Sequence, residues 1–407
     1  MDRVAITGVG IISCLGTDKE TVARRLYRGE SAIEVDPERV ALGFRSPLTT
    51  RIADFDATRY VSRKARKTMT DFAVQAYAAT ADAIRDARLA PEDIQNDRTG
   101  LIFGCDSSCI AAIEQVDLVR KHHTTSAIGS GHVFCSMTSN ITMNLNALLK
   151  TQGACWTLSA ACSSGGHAVG QAADLIRLGR QDRIICGGAQ ELNWQSMCSF
   201  DALDAFSMRV SAPHEACRPF DADRDGLVPS GGAAAIVLER YDLAQQRQVP
   251  ILGEVLGYGF SSDGATLSVP GETGLRRAMT SAISEARLAI EDVDYICAHA
   301  TATPVGDGVE ACGIHALFGD TCRPAVASLK GMVGHELWMA GAAQVVYCTL
   351  MASRGFTAAN VNFKRPDQYS EKLWILTERL DRPPRTVLCN SAGFGGTNAC
   401  LALRLHS

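Results

Sequence analysis

The sequence predicts an α/β protein made of two similar halves, each with a central sheet covered by helices. The main evidence is an internal repeat, because the pattern of Ala83–Ile94 returns as Ala282–Val293, 199 positions later (282 − 83). In both copies a helix-like stretch leads into a β-branched or aromatic run, Gly100–Phe103 in the first and Tyr295–Ala298 in the second. This alternation predicts stacked layers of helices and strands.

A second echo supports a duplication. Gly8–Gly10 and Gly257–Gly259 have the same glycine spacing, and each follows an apolar, strand-like segment. The join between the halves is predicted in the polar stretch Tyr241–Pro250. We therefore predict an N-terminal half of residues 1–245 and a C-terminal half of residues 250–407.

The composition is ordinary for a globular protein, with 46% hydrophobic and 21% charged residues among 407. A net charge of −4 gives no overall attraction to nucleic acid or anionic membranes, so neither partner is expected. No apolar stretch is long enough to span a bilayer, and the amino terminus lacks the pattern of a secretory signal. We therefore expect a cytoplasmic protein whose 15 cysteines stay reduced.

No metal site is expected from the cysteine pattern. Cys105 and Cys109 form a single C-x₃-C motif, without a second pair at zinc-like spacing. Several other cysteines lie in apolar runs, where cysteine behaves as a small hydrophobic residue. These are Cys186, Cys297, Cys348 and Cys400.

Cys162 differs from the other cysteines in its setting. It lies between an apolar stretch that predicts a buried strand, Ala154–Leu158, and a stretch that predicts a helix, Ala168–Ile176. Free amides at a helix N-terminus stabilise negative charge, so we expect this thiol to be partly ionised near neutral pH. The small residues of Ser159–Gly166 would let a substrate reach the sulfur.

Three further segments carry groups with catalytic potential. They are His299–Asp307, Lys330–His335 and Asn390–Asn398. One activated thiol and two histidines, His299 and His335, indicate covalent acyl chemistry. In their order, these segments and Ala161–Ser164 resemble the β-ketoacyl-acyl carrier protein synthases, nearest to the type I elongating condensing enzymes. The resemblance runs nearly end to end, includes Arg218–Gly226, and implies the duplicated αβαβα layers of the thiolase-like superfamily.

The resemblance implies a reaction. Cys162 would take an acyl group from the phosphopantetheine thiol of a carrier protein and hold it as a thioester. His299 and His335 would hydrogen-bond the carbonyl of a malonyl thioester and stabilise the enolate formed when carbon dioxide leaves. The resulting carbanion would attack the acyl group on Cys162 and lengthen it by two carbons.

The same resemblance assigns supporting roles. The backbone amides of Cys162 and Phe394 are expected to bind the oxyanion, and Lys330 to support the site electrostatically. Thr301 and Thr303 are expected to bind the pantetheine arm. No cofactor is expected in the enzyme, since the substrates arrive on the phosphopantetheine of the acyl carrier protein.

Two protein partners are expected. An acyl carrier protein is strongly acidic, and a local basic cluster in this slightly acidic chain would attract it. The cluster consists of Arg63, Lys64, Arg66 and Lys67. A dimer is expected from the resemblance, either with an identical subunit or with a paralogous, non-catalytic chain-length subunit.

Four rival classes make different demands on the sequence. A thiolase needs a second catalytic cysteine in the C-terminal glycine-rich motif, which here holds Phe394. A starter-type condensing enzyme would have asparagine in place of His335. A non-catalytic chain-length subunit would lack Cys162, and a papain-like protease would lack the duplicated architecture. The elongating condensing enzyme is therefore favoured.

Several positions depart from the pattern of that family. Ala300 stands where glycine is usual, Ala392 where phenylalanine is usual, and Gln344 where glutamate is usual. Trp338 and Met339 replace a pair of small residues. We expect activity with an altered acyl pocket. The alternative is therefore a specialised ketosynthase of a polyene, aryl-polyene or polyketide pathway, working with a chain-length partner.

Overall fold

The computed structural model describes residues 2–407. The strands are β1 (Val4–Ile12), β2 (Ile33–Val35), β3 (Leu48–Thr50), β4 (Thr99–Gly104), β5 (Cys155–Leu158), β6 (Arg183–Gln190), β7 (Gly232–Arg240), β8 (Gly253–Ser262), β9 (Tyr295–Cys297), β10 (Ala325–Ala327), β11 (Trp374–Ile375), β12 (Thr386–Gly393) and β13 (Thr397–Leu405). The helices are α1 (Lys19–Arg28), α2 (Pro37–Ala41), α3 (Asp71–Asp86), α4 (Pro91–Ile94), α5 (Ile110–His122), α6 (His132–Cys135), α7 (Asn140–Leu149), α8 (Ser164–Arg177), α9 (Cys198–Ala202), α10 (Tyr241–Gln246), α11 (Gly274–Ala286), α12 (Pro304–Phe318), α13 (Lys330–Val333) and α14 (Ala340–Ser353).

The strands of the two halves join in one continuous sheet. The N-terminal half contributes the order β1-β7-β6-β4-β5, and the C-terminal half contributes β8-β13-β12-β9-β10-β11. The halves meet where Val4–Ile6 of β1 pairs antiparallel with Gly253–Val255 of β8. Strands β2 and β3 form a separate two-stranded ribbon.

Helices cover both sides of each half of the sheet. Helix α3 packs on β1 and β7, and α11 packs on β8 and β13. Helices α8 and α14 lie together in the middle, in contact with strands of both halves. Because α14 is surrounded, Ala340–Ala352 is buried along its whole length. The predicted layered α/β architecture of two similar halves is confirmed.

The two central helices approach each other closely at glycines. A Cβ atom on Gly341 of α14 would lie 2.5 Å from the backbone nitrogen of Gly166 in α8, which no side chain could tolerate. Such contact requires residues without side chains on both helices. It brings the N-terminal ends of α8 and α14 together, so the turns that precede these helices face each other.

The glycine echo in the sequence has a packing reason. A Cβ on Gly8 would lie 2.1 Å from the carbonyl oxygen of Ala83, and one on Gly257 would lie 2.2 Å from that of Ala282. In both halves the first strand therefore touches the backbone of the outer helix. The glycine repeat and the helix repeat detected in the sequence therefore belong to the same strand–helix contact, which occurs once in each half.

One local prediction is wrong. The segment that includes β5 was expected to be a buried strand, but β5 is the edge of the sheet and pairs only with β4. The side chains of Cys155 and Trp156 are exposed, with Trp156 40% accessible. An apolar run predicts that its side chains are buried, but among residues 2–407 no further strand pairs with this edge.

In residues 2–407, the helices are all too short or too polar to cross a bilayer. The same part of the chain holds no cluster of three or more metal-ligating side chains.

Candidate active site

Cys162 lies in a tight turn between β5 and α8. The turn is a 3₁₀ segment, Ala161–Ser163, in which Ala161 has a positive φ of 47°. Such backbone is strained for a residue with a side chain, and strain of this kind concentrates at functional sites. The hydroxyl of Ser163 donates to the carbonyl of Ala160 at 2.7 Å, and that of Ser164 donates to the carbonyl of Ala161 at 2.6 Å. These bonds hold the strained turn in place.

The thiol of Cys162 is neutral, contrary to the expectation of a partly ionised cysteine. Burial raises its pKa to about 12, against the opposing effect of the positive charge of Lys330. The side chain is only 5% exposed, so its thiolate would lose most of its hydration. The backbone N–H groups of Cys162 and Phe394 also favour the thiolate, because both act on the sulfur. The two amides expected to bind the oxyanion therefore lie at the reacting atom.

His299 and His335 form a perpendicular pair. Their ring centroids are 5.3 Å apart, with an angle of 82° between the planes. His299 follows β9, where the carboxylate of Glu310 accepts hydrogen bonds from the amides of His299 and Ala300 at 2.9 and 2.7 Å. The backbone of His335 is held by the segment that precedes β7, because its amide donates to the carbonyl of Val228 at 2.7 Å. Both rings are thus positioned by backbone contacts.

Both imidazoles are neutral at physiological pH. Burial lowers the pKa of His299 and of His335 well below 6.5, and the positive charge of Lys330 lowers both further. A neutral imidazole carries one N–H donor. Both residues line the pocket that contains Cys162. The pair can therefore direct hydrogen bonds at a substrate oxygen in that pocket.

Lys330 is the buried cation of the site. It begins α13 and is 4% exposed. Its charge acts on both histidines and on Cys162, always in the direction that favours a neutral imidazole or a thiolate. Lys330 is therefore placed to influence every titratable group of the site.

The predicted pantetheine residues line the same pocket. The pocket has a volume of about 420 Å³ and contains Cys162, both histidines and the two threonines. The hydroxyls of Thr301 and Thr303 lie 3.1 Å apart and can exchange a hydrogen bond. Phe394 also lines the pocket, is 39% exposed, and stacks on Phe200 with ring centroids 5.8 Å apart. The segments singled out in the sequence thus converge on one pocket.

The basic cluster lies outside this pocket. Lys64 and Lys67 are exposed beside the 3₁₀ turn Ala65–Thr68, as is Arg63, while Arg66 is half-buried. In the described chain, none of the four lies within 4 Å of a carboxylate. Their charges are therefore free to act on a partner.

The unusual positions have distinct surroundings. Trp338 is 6% exposed and lies against Phe200, with ring centroids 6.4 Å apart. Ala392 lines the pocket at the end of β12. The side-chain N–H of Gln344 donates to the carbonyl of Ala298 at 3.0 Å, which steadies the chain just before His299. Met339 is fully buried beneath the site.

Two buried carboxyl groups were missed by the sequence argument. Glu310 fixes the His299 segment and also accepts from the amide of Asn390 at 3.0 Å. Glu336, next to His335, accepts from the hydroxyl of Tyr347 at 2.6 Å, and burial raises its pKa to about 8. The hydrogen-bond partners, Asn390 and Tyr347, are not sequence neighbours of these two carboxyl groups. Only the adjacency of Glu336 to His335 could have drawn attention to it.

The fold and the pocket together define a class of protein. A cysteine at the start of one central helix and a histidine pair from the other half describe an acyl-transferring enzyme of the thiolase-like superfamily. The chain belongs to the β-ketoacyl synthase family: the N-terminal domain of that family matches residues 1–244, and its C-terminal domain matches residues 252–364. The predicted family, condensing-enzyme activity and acyltransferase class are confirmed.

Several relatives are similar over their whole length. The "3-oxoacyl-[acyl-carrier-protein] synthase 1" of Haemophilus influenzae is 39% identical, with 100% of both chains covered. The Escherichia coli protein of the same name is 37% identical over 99% of each chain. A β-ketoacyl synthase from Burkholderia phymatum superimposes with a TM-score of 0.94 at 31% identity, over 100% of both chains. "The ishigamide ketosynthase/chain length factor" superimposes with a TM-score of 0.93 at 27% identity, also over 100% of both chains.

Proposed function

We propose that this chain condenses an acyl group held on Cys162 with malonyl-acyl carrier protein and so extends the acyl chain by two carbons. The observation that carries the proposal is the convergence of three groups in one pocket. Cys162 has two backbone amides at its sulfur, and the neutral pair of His299 and His335 lines the same space. The relatives named as 3-oxoacyl-acyl carrier protein synthases support this reaction.

The first step is a thioester exchange. The sulfur of Cys162 attacks the acyl carbonyl on the carrier, and the negative oxygen of the tetrahedral intermediate accepts hydrogen bonds from the amides of Cys162 and Phe394. When the carrier sulfur leaves, the proton from Cys162 ends on that sulfur. Because the thiol is neutral in the closed pocket, the amides and the charge of Lys330 must favour the thiolate as the step begins.

The second step uses the histidines. Malonyl thioester loses carbon dioxide, the electrons of the broken carbon–carbon bond form an enolate, and its oxygen accepts N–H donors from His299 and His335. The enolate carbon then attacks the acyl carbonyl on Cys162, and the sulfur leaves as thiolate. One proton taken up from water restores the thiol. The released product is a 3-oxoacyl chain on the carrier.

We propose that the substrates are delivered on the phosphopantetheine of a protein partner, and that the reaction uses no other cofactor. We propose that the acyl carrier protein docks on the cluster of Arg63, Lys64, Arg66 and Lys67, whose charges have no carboxylate neighbours in the described chain. The pantetheine arm would then pass Thr301 and Thr303 on its way to the thiol. This proposal places the reaction in the cytoplasm, where carrier-bound acyl chains are made.

We also propose a dimer formed through the exposed edge of β5. The edge carries unpaired backbone groups beside Trp156, and such edges invite a further strand. Two exposed residues of α6, Val133 and Phe134, add apolar surface that a partner would cover. The partner is either an identical subunit or a paralogous chain-length subunit.

The alternative function is a specialised ketosynthase of a polyene, aryl-polyene or polyketide pathway. The similarity to the ishigamide ketosynthase/chain length factor favours it, as does the bulk of Trp338 beside the pocket. Offering conjugated and saturated acyl chains in competition separates the two functions. A preference for saturated chains contradicts the alternative.

The proposal is tested by intact-mass measurement after incubation with acyl-acyl carrier protein. We expect an added acyl mass in the wild type and none in Cys162→Ala. Cys312→Ala is the matched control, because Cys312 is exposed on α12 and does not line the pocket. Acylation of Cys162→Ala at the wild-type rate would contradict the proposal.

A further inference from the structure

The pocket lining has an exposed side and an apolar side. Leu267, Val269 and Val305 line the pocket and are more than half exposed, so a pantetheine arm would enter beside them. Cys162, Leu337 and Phe200 also line the pocket and belong to the apolar cluster that contains Trp338. An acyl chain on Cys162 would extend along this apolar side, because the arm of the incoming malonyl group needs the exposed side.

Aromatic rings fill the space behind that apolar side. Phe200 stacks between Phe394 and Phe206, with ring centroids 5.8 and 6.3 Å away and nearly parallel planes. The indole of Trp338 leans on the same Phe200 ring at 51°. Trp338 does not line the pocket but lies against Phe200, which does. A longer acyl chain would therefore meet Phe200 first and the indole next.

The indole is held in place by a chain of hydrogen bonds. Its Nε1–H donates to the hydroxyl of Ser107 at 3.2 Å, and that hydroxyl donates to Glu191 at 2.9 Å. The carboxylate of Glu191 is 2% exposed and also accepts from the amide of Cys109 and the side chain of Asn193. A buried carboxylate that accepts this many hydrogen bonds is held rigidly in place. The indole anchored to it cannot swing away without leaving polar groups unpaired.

We propose that Trp338 sets the maximum length of the acyl chain that Cys162 can carry, so that this enzyme elongates short acyl chains and excludes long ones. This inference rests on the proposed function, since it concerns the acyl group held on Cys162. It assigns the limit to the indole together with its anchor, Ser107 and Glu191. Removing the indole opens space for longer acyl chains, and removing only the anchor leaves the indole in place but less firmly held.

The experiment offers wild type and variants a series of saturated acyl-acyl carrier proteins, from butanoyl to hexadecanoyl. Loading of Cys162 is measured by intact mass and elongation by product analysis. We expect wild type to load the short members and to discriminate against the long ones by about 10-fold or more for each step beyond its limit. Trp338→Gly is expected to load long chains at least about 10-fold faster than wild type, with butanoyl loading retained.

Three variants keep the test decisive. Ser107→Ala retains the indole but removes its acceptor and one donor to Glu191, so it is expected to shift the limit by less than Trp338→Gly. Trp338→Leu removes most of the volume of the indole but keeps an apolar side chain, so it serves if the glycine variant fails to fold. Trp374→Gly removes an exposed tryptophan on β11 and should leave the length profile unchanged.

The outcomes separate the two proposals. If Trp338→Gly or Trp338→Leu loads butanoyl but has the wild-type length profile, the assignment of Trp338 is wrong while the proposed function stands. If no acyl chain loads Cys162 of the wild type, the proposed function fails and this inference with it. The assignment is supported if both variants accept longer acyl chains than wild type and the increase is larger for Trp338→Gly than for Ser107→Ala.

Discussion

In the N-terminal half, the turn before central helix α8 carries the nucleophile Cys162. In the C-terminal half, the segment before central helix α14 carries Lys330, which begins α13, and His335, and the turn directly before α14 is Leu337–Met339. The turns Ala161–Ser163 and Leu337–Met339 occupy equivalent places and face each other because α8 and α14 approach closely at glycines. The segments that lead into the two central helices thus carry different parts of the reaction.

The outer edges of the halves differ as well. In the N-terminal half the sheet ends at β5, whose Cys155 and Trp156 are exposed. In the C-terminal half it ends at the two-residue strand β11, which exposes Trp374 to a similar degree, 41%. A short edge strand offers few unpaired groups to a partner. The β5 edge is therefore the one suited to association, and exposure of a tryptophan alone does not identify it.

The largest expected effect tests the division of chemistry between the halves. Replacing His299 or His335 by alanine should slow condensation by about 10²–10³-fold, because each removes one donor to the enolate oxygen. Formation of the acyl-enzyme on Cys162 should remain measurable in both variants. Intact mass monitors loading, and carbon dioxide release monitors decarboxylation. A variant with normal condensation would show that its histidine is only structural.

The two edges can be compared directly. Trp156→Asp should weaken the dimer by about 10-fold or more, since it places a charge where a partner strand and apolar surface would be buried. Trp374→Asp is the matched control on the opposite edge and should leave the dimer intact. Light scattering over a dilution series measures both. A wild-type protein that is a stable, active monomer would contradict the dimer altogether.

The role of Lys330 can be measured through pH dependence. Burial and the charge of Lys330 hold the pKa of both histidines well below 6.5, so the rings lose their neutral form only in acid. Lys330→Met should raise both pKa values, although burial still opposes protonation. The acidic limb of the condensation rate should therefore move to higher pH. Lys372→Met, at an exposed site, is the control. If the acidic limb of Lys330→Met stays at the wild-type pH, Lys330 does not set the pKa of the histidines.

The smallest expected effect concerns the carrier protein. Charge reversal at Lys64 and Lys67 should raise the KM for the acyl carrier substrate by a few-fold, because exposed charge pairs contribute about 0.2–1 kcal/mol each. The effect should shrink as salt is added. Steady-state kinetics at two ionic strengths measures it. Charge reversal at Lys121, an exposed residue of α5, is the control. An equal rise in KM for that variant would show that the carrier does not dock specifically on the basic cluster.

The sequence was sufficient for the features that are local or repeated. The duplication was visible because Gly8 and Gly257 must touch the backbone of their outer helices. The segments around Cys162, His299 and His335 were recognisable because short motifs carry them. Such features depend on neighbours in sequence or on a constraint that recurs.

Features that depend on distant contacts could not be predicted. The apolar composition of β5 indicated burial, but whether a strand lies at an edge is decided by the order of the whole sheet. The pKa of Cys162 depends on how completely the rest of the chain encloses its thiol. Likewise, Glu310 contacts Asn390 across 80 positions, so the partner of this buried carboxyl is invisible in the local sequence.

The burial of α14 has a consequence for how the chain is made. This helix spans Ala340–Ser353 and contacts strands of both halves, and α8 packs on it. A nascent chain that has completed only β1 to β7 would expose the apolar inner face that α14 later covers. Such surface favours aggregation or capture by a chaperone during synthesis. The first half therefore cannot reach its final state until α14 has left the ribosome, and the two halves mature together.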